Sequence, residues 1–344
     1  MALVQDALDV STRKPAMVAA PAVPFGAPVV TVCIVNWNCK SLLRNCLASL
    51  FDFSQGVSFE VVVVDNASTD GAAEMVAAAF PIVRLLRNPA NLGFSRANNQ
   101  AAAVARGRYF FFLNNDTVVP PGTLGRLAAF ARANPDVGMI GPRLLGSDGE
   151  PQISYRRAPT LPALLHRIGL LRWTGLFRKA YSNYRRNTFD PTGIKSVEAL
   201  MGAAVFLPRA AFERSGRWDE QYPFGGEDLD LSTQIKRRYH VVYHGEVTVV
   251  HYGRMSSKAN RGYVTANVET GYVLYLRKAG HGRLCLAIYK LLVTLDTPIQ
   301  LALRCAQLAA RTLTRRPTDA AKSRESAIGL WHFLTRDLGR FWRA

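Results

Sequence analysis

From residue 29 onward the chain alternates between two hydrophobic periods. Val30 to Val35 is a short β-branched run, and Leu43, Cys46, Leu47 and Leu50 follow at the i, i+3, i+4, i+7 spacing of an amphipathic helix. Glu60 to Val64 is apolar after its first residue, the pattern of a strand buried on both faces. Asp70 is placed to cap a helix running to about Ala79. Ile82 to Leu86 predicts a third strand, Ser95 a cap for a helix that Gly107 ends, and Tyr109 to Leu113 a fourth strand. This alternation predicts an α/β fold with a mainly parallel central sheet flanked by helices.

The second half is less regular. Leu200 to Leu207 predicts a strand, Glu227 to Tyr239 a helix, and Val241 to Tyr243 and Val247 to Val250 short strands. Leu161, Leu164, Leu165, Ile168 and Leu171 form a helical apolar stripe inside Tyr155 to Arg186, a segment with eight Lys/Arg and no acid. Two readings stand: the stripe packs on a core beneath solvated arginines, or the segment is an interfacial helix on an anionic membrane surface. After Gly280 the chain reads as helical, with basic and apolar residues mixed. Leu284 to Leu303 is its most apolar stretch, and Lys290, Asp296 and Pro298 argue against a spanning helix.

Charge narrows the class of partner. The chain of 344 residues carries a net charge of +18, which points to a polyanion: nucleic acid, an anionic membrane or a phosphorylated substrate. Cys33, Cys39, Cys46, Cys285 and Cys305 show no CxxC spacing, so reduced thiols in a cytoplasmic protein are expected. The first 28 residues lack a basic start followed by an apolar core, and a loose tail is expected there in place of a signal peptide.

Ligands of open α/β sheets bind beyond the carboxyl ends of the strands. Three polar clusters sit at such ends: Asn36-Trp37-Asn38, Asp65 to Asp70, and Asn114-Asn115-Asp116. Asn, Asp and Ser also cap helices and make turns, so one cluster alone means little; three at one sheet edge point to a site. No GxGxxG or P-loop follows the first strand, which counts against a dinucleotide or ATP fold. Asp65 is suited to accept from a pyrimidine imide N–H or a ribose hydroxyl. Asp116 is suited to a hard divalent cation, Mg or Mn, shared with a diphosphate. Gly225-Gly226-Glu227-Asp228 opens a helix with acids, either as ordinary dipole complements or with one carboxylate as a general base. His251 ends a strand, as a structural histidine or as a second ligand beside Asp116.

The ordered set Val32 to Asn38, Val63 to Asp70, Asn91 to Phe94, Leu113 to Asp116 and Gly226 to Leu231 resembles glycosyltransferase family 2, closest to its rhamnosyltransferase-like branch. The resemblance implies a GT-A fold, an inverting mechanism and a divalent metal. It implies that Val35, Asn36, Asn38, Asp65, Asn91, Gly93, Phe94, Asn98, Asn99, Asn114 and Asn115 line the nucleotide pocket. Asp228 then matches the catalytic base, Trp218, Gly226 and Glu227 the acceptor side, and Asp116 and His251 the metal ligands. Asn114 departs from the acidic residue that opens the DxD-type motif. The implied layout is a tail over 1–28, a catalytic domain over 29–280 with nucleotide and acceptor halves meeting near 120, and a helical extension over 281–344. The implied donor is dTDP-rhamnose or a UDP-sugar, and the implied acceptor a saccharide or lipid-linked saccharide of a cell-surface polysaccharide. Such an enzyme is expected to be cytoplasmic or peripheral on the inner face of the cytoplasmic membrane. Two rival classes are a nucleic-acid binder and a nucleotidyltransferase. The basic residues are spread along the chain without a nucleic-acid motif, so no nucleic-acid partner is expected. Asn36-Trp37-Asn38 is not the phosphate loop that a nucleotidyltransferase requires.

Overall fold

The computed structural model describes residues 28–54, 56–185, 189–253, 261–314 and 317–344. The expected tail lies outside these residues except for Pro28. The chain forms two compact units. The first takes residues up to 157, then 189–220 and 228–256; the second takes 158–188, 221–227 and 257–344.

The first unit is built on a sheet whose elements are numbered along the chain. Its strands are β1 (Val30–Asn36), β2 (Phe59–Asp65), β3 (Arg84–Arg87), β4 (Tyr109–Asn114), β5 (Thr117–Val118), β6 (Val137–Leu145), β7 (Tyr155–Arg156), β8 (Ile194–Ser196), β9 (Ala199–Leu200), β10 (Ala204–Pro208) and β11 (His240–His251). Its helices are α1 (Lys40–Phe53), α2 (Ala72–Ala79), α3 (Phe94–Val104), α4 (Thr123–Ala133), α8 (Arg209–Arg214) and α9 (Glu227–Lys236). The strand order is β3-β2-β1-β4-β10-β6-β11-β5, with β8 also on β11, while β7 and β9 pair separately. The β3-β2-β1-β4 half is parallel throughout. Beyond it the sheet is mixed, because β10 runs antiparallel to both β4 and β6.

Alternation of side chains explains why the central strands read as apolar runs. Val30, Val32, Ile34, Val61, Val63 and Phe111 pack on one face, and Cys33, Val62, Val64, Phe110 and Phe112 on the other. Register then fixes the edge that matters. Asn36 lies opposite Asp65, and Val35 opposite Asn114, so the polar clusters emerge side by side at the carboxyl ends.

Three sequence expectations change in detail. Ser95 caps nothing: Asn91 Oδ1 accepts the Gly93 N–H at 2.9 Å, the backbone turns at Gly93 with φ +84°, and α3 begins before Ser95, which is buried. The strand expected over 200–207 is broken into β9 and β10 at Met201-Gly202, where the Met201 N–H turns to the Ser154 carbonyl. The two strands expected over 241–250 are one strand, β11, with an irregularity between His244 and Thr248.

The second unit is helical: α5 (Leu161–Leu165), α6 (Gly169–Trp173), α7 (Arg178–Arg185), α10 (Arg261–Lys278), α11 (Arg283–Leu313), α12 (Pro317–His332), a π-helical turn (Phe333–Asp337) and α13 (Leu338–Arg343). Leu164, Ile168, Val273, Leu276, Tyr289 and Phe341 belong to its core. The apolar stripe of 161–171 is therefore core packing, which overturns its reading as a membrane-facing stripe: Leu164 and Ile168 are buried, and Leu161, Leu165 and Leu171 pack against them. A polar seam runs through this core. Arg167 pairs with Glu269 at 3.0 Å, and the Tyr289 hydroxyl donates to the other oxygen of Glu269 at 2.7 Å. Asp296 accepts the backbone N–H groups of Gly169 and Leu170 at 2.9 and 3.0 Å, holding the start of α6 on α11.

Candidate active site

The carboxyl edge of the first unit is organised by a hydrogen-bond network that begins at Asn36, the last residue of β1. Its amide donates to Asp65 Oδ1 and to Ser68 Oγ, both at 3.1 Å, and its oxygen accepts from the Asn115 amide at 2.7 Å. Asp65, at the end of β2, accepts the Ser68 N–H on its second oxygen at 3.0 Å. Asn36, Asp65 and Asn115 are all buried. Each oxygen of Asp65 accepts one of these bonds, so the carboxylate is held in place with lone pairs left for a ligand.

The loop after β1 is tied to the loop after β2. The Asn38 N–H donates to Ser68 Oγ at 3.0 Å, and Asn38 Oδ1 accepts the Thr69 N–H at 2.7 Å. Asn38 and Ala67 both adopt positive φ, 51° and 60°, so this corner carries backbone conformations that non-glycine residues seldom take. Val35 is half-buried beside it. Ser68 Oγ accepts twice from the end of β1 and the loop after it, from the Asn36 amide and the Asn38 N–H, and was not singled out from sequence; its place in an ordinary Asx/Ser turn pattern gave no separate signal.

Two residues far apart in sequence meet at the other side of this edge. His251 pairs with Thr117 in the β11–β5 ladder, which sets its ring beside Asp116. His251 Nε2 stands 3.4 Å from Asp116 Oδ1, with both side chains almost fully buried. Gln152 fixes the ring. Its Nε2 donates to the His251 carbonyl at 2.8 Å, so its Oε1 is the atom 2.9 Å from His251 Nδ1 and accepts that nitrogen's proton. Nδ1 is then the N–H and Nε2 the lone pair. A nitrogen lone pair and a carboxylate oxygen facing each other suit a cation between them. Among the described residues no group of three His, Cys, Asp or Glu gathers around a metal position. A divalent ion held here would draw its remaining ligands from water and phosphate oxygens, as Mg²⁺ commonly does.

Asp228, on the first turn of α9, is the third chemical element of the first unit. The Arg156 guanidinium donates to its Oδ1 at 2.6 Å, and that oxygen also accepts the Leu229 N–H at 2.8 Å. Its Oδ2 accepts the Gly202 N–H at 3.2 Å. A Cβ at Gly202 would lie 3.2 Å from the Asp228 Cβ, so any side chain there crowds this contact. The break between β9 and β10 thus has a use: it turns a backbone donor onto Asp228. Neither Arg156 nor Gly202 carried a sequence signal for this role.

Several residues assigned to the site from sequence are engaged elsewhere. Both amide protons of Asn99 are used, on the Trp218 carbonyl at 2.8 Å and Glu220 Oε1 at 3.0 Å, and its oxygen accepts the Trp218 N–H at 3.2 Å. Asn98 is buried and donates to the Phe94 carbonyl at 3.1 Å. Both amide protons of Asn99 and one bond of Asn98 are thus given to protein atoms. Trp218 is 1% exposed, with Phe94 and Phe112 meeting its ring edge-on, so it is a core residue closed to an acceptor. Asn91 and Gly93 form the turn before α3, and the half-buried Phe94 is its first residue. Asn114 is half-buried, and its N–H donates to the Ala203 carbonyl. Gly226 and Glu227 precede Asp228 and belong to the second unit.

Fold and edge chemistry together define a GT-A type α/β protein, with a parallel half-sheet and strand-end acids at its carboxyl edge. Residues 31–196, just under half of the chain, match the family model for glycosyl transferase family 2. The N-acetylglucosaminyl-diphospho-decaprenol L-rhamnosyltransferase of Mycobacterium tuberculosis is 29% identical over 71% of this chain and 83% of its own length. An uncharacterized protein of the same organism is 39% identical over 35% of this chain, and the match spans 38% of that relative. Among solved structures, the mannosyltransferase PcManGT from Pyrobaculum calidifontis in complex with GDP-Man and Mn²⁺ shares the fold with TM-score 0.50. It is 20% identical and covers 96% of this chain and 93% of its own.

Proposed function

We propose that this protein is an inverting glycosyltransferase that moves a sugar, rhamnose as first choice, from a pyrimidine nucleotide sugar to a hydroxyl of a saccharide or lipid-linked saccharide acceptor. The observation that carries the reading is the Asp116–His251 pair at 3.4 Å on the same sheet edge as the Asp65–Asn36–Asn115 network. A nucleotide pocket and a diphosphate-metal position on one edge suit a sugar nucleotide. The mycobacterial relative named as a rhamnosyltransferase acting on a decaprenol-linked saccharide supports the choice of donor sugar and acceptor. The role in cell-surface polysaccharide synthesis rests on the same likeness.

In this reading Asp65 receives the base or ribose, and Asp116 and His251 hold Mg²⁺ or Mn²⁺. When bound, the ion neutralises charge developing on the departing diphosphate. Asp228 takes the proton of the acceptor hydroxyl as that oxygen bonds the anomeric carbon and the bond to the diphosphate breaks. Oδ2, which accepts only the long Gly202 bond among the bonds described, is the better placed oxygen for that proton. Attack opposite the leaving group inverts the anomeric centre.

Thermal-shift titration with nucleoside diphosphates and nucleotide sugars, with and without Mn²⁺, tests the donor half of the reading, since a ligand of the native state raises Tm by mass action. A metal-dependent shift with dTDP or UDP species is expected. Absence of any such shift, with a shift on oligonucleotides, would turn the reading toward nucleic acid. Release of pyrophosphate from a nucleoside triphosphate would turn it toward a nucleotidyltransferase.

A further inference from the structure

The charge of the chain is not shared evenly between its units. The second unit carries 21 Lys and Arg against six Asp and Glu, so nearly all of the net +18 belongs to it. The same unit carries the most exposed apolar helix face among the described residues. In α11, Leu284, Ile288, Leu291 and Leu295 are 76%, 50%, 49% and 54% exposed, and Leu313 at the far end is 83% exposed. These residues recur at steps of three and four, so they lie on one line of the helix. At 100° per residue the line continues through Pro298, Ala302, Ala306 and Ala309, all exposed. Every charged residue of α11 falls outside this line. Lys290 and Asp296 are buried on the opposite side, bonded to the Trp342 carbonyl and to the start of α6, and Arg304 and Arg311 project from that same side.

An apolar stripe over 31 residues, roughly 46 Å at 1.5 Å per residue, is far longer than scattered surface leucines require. Its composition would let it cross a bilayer, but its other face is bonded into the helical core through Tyr289, Lys290 and Asp296. Lys290 and Asp296 on that face would be costly within the hydrocarbon region. The helix can lie in the plane of a surface with its free side immersed. Exposed tryptophans and basic residues belong to the same unit: Trp173, which ends α6, is 62% exposed, and Trp331 is 57% exposed. A unit that joins an apolar line with exposed aromatic rings and a surplus of cations suits the headgroup level of an anionic bilayer.

We propose that α11 is a monotopic docking helix that seats the second unit on an anionic lipid surface. The stripe enters the acyl boundary, and the surplus of Lys and Arg meets the headgroups. This replaces the 161–171 segment as the membrane-facing element and rests on exposure and charge alone, independent of which sugar is transferred.

The test is flotation of the full chain with phosphatidylcholine vesicles, with and without about one-third phosphatidylglycerol, in the absence of any sugar or acceptor. Binding to the anionic vesicles is expected, weakened by 0.5 M salt and much weaker on the neutral ones. The double variant Leu291→Glu/Leu295→Glu alters only exposed positions and is expected to keep its Tm while losing roughly tenfold or more in vesicle affinity. No binding of the wild type to anionic vesicles, or equal binding by the double variant, overturns the proposal. A dimer that the double variant converts to monomer, without vesicle binding, also overturns it and assigns the stripe to a second copy of the chain. Donor-induced thermal shifts measured on the same samples report on the transferase reading separately.

Discussion

Arg156 on β7 and Asp228 on α9 form an ion pair at 2.6 Å, and the arginine occupies the oxygen of Asp228 that also accepts the Leu229 N–H. The carboxylate proposed as the base is therefore a fixed group with one oxygen committed to the protein. Its side chain is 12% exposed and that of Arg156 24%, so water screens the pair only in part. Removing either partner leaves the other incompletely paired. Arg156→Gln and Asp228→Asn are each expected to cost about 1–3 kcal/mol in urea unfolding. The double variant is expected to lose less than the two combined. Strict additivity would show that the two groups do not interact in solution.

Asp228→Asn separates binding from chemistry. Donor affinity is expected to stay within about threefold of wild type, because the substituted atoms serve the acceptor proton. Turnover is expected to fall roughly 10²–10⁴-fold, the span of a lost general base. Near-normal turnover under saturating donor would remove Asp228 from that role.

Mn²⁺ dependence should track the residues at Asp116 and the residue behind His251. His251→Ala is expected to abolish the Mn²⁺-dependent part of the thermal shift given by a nucleoside diphosphate. Gln152→Ala leaves both proposed ligands intact and is expected to weaken Mn²⁺ about 10–100-fold by releasing the imidazole tautomer. A Gln152→Ala protein with unaltered Mn²⁺ affinity would show that the amide does not set the ring.

Asn99→Ala tests whether that amide serves the fold. Loss of its bonds to the Trp218 and Glu220 segment is expected to cost about 1–2 kcal/mol while leaving donor Kd unchanged. A large rise in donor Kd at constant Tm would restore Asn99 to the nucleotide pocket.

Acid should weaken the first unit through Glu60. Burial raises its carboxyl, but the Thr31 hydroxyl and the backbone and guanidinium of Arg106 outweigh that and hold it below the ordinary 4.5. A depressed folded-state pKa contributes stability above the unfolded value that is lost as pH falls through the folded one. Tm measured from pH 6 to pH 3 should therefore decline below about 4.5. Glu60→Gln should flatten part of that decline, and an unchanged slope would sink the assignment.

The alternating half of the fold was readable because strands buried on both faces are uniformly apolar, as in Val61 to Val64 and Phe110 to Leu113. The mixed half was not. The turn at Met201-Gly202 is dictated by Ser154 and Asp228, which local pattern cannot reveal. The site divides in the same way. The polar clusters at strand ends were visible as clusters, and parallel register brings Asn36 beside Asp65. The closeness of Asp116 and His251 depends on a two-residue strand, β5, too short to carry a period. Gln152 and Arg156 lie in stretches where nothing in spacing distinguishes them from surface residues. At Asn98, Asn99 and Trp218 the sequence could not separate a ligand contact from the protein contacts that the structure shows, because polar amides and an aromatic beside a motif serve either use.

The five thiols are also sorted by depth. Cys33 and Cys46 are sealed in the sheet core, where burial pushes the Cys46 thiol up to about 12 and that of Cys33 higher still. Cys305 is exposed and stands one residue from Ala306, at the margin of the apolar line of α11. Once the half-buried Cys39 and Cys285 are replaced, the chain holds at Cys305 an attachment point for a polarity-sensitive fluorophore beside the face assigned to lipid, with Cys33 and Cys46 too deep to compete for the dye.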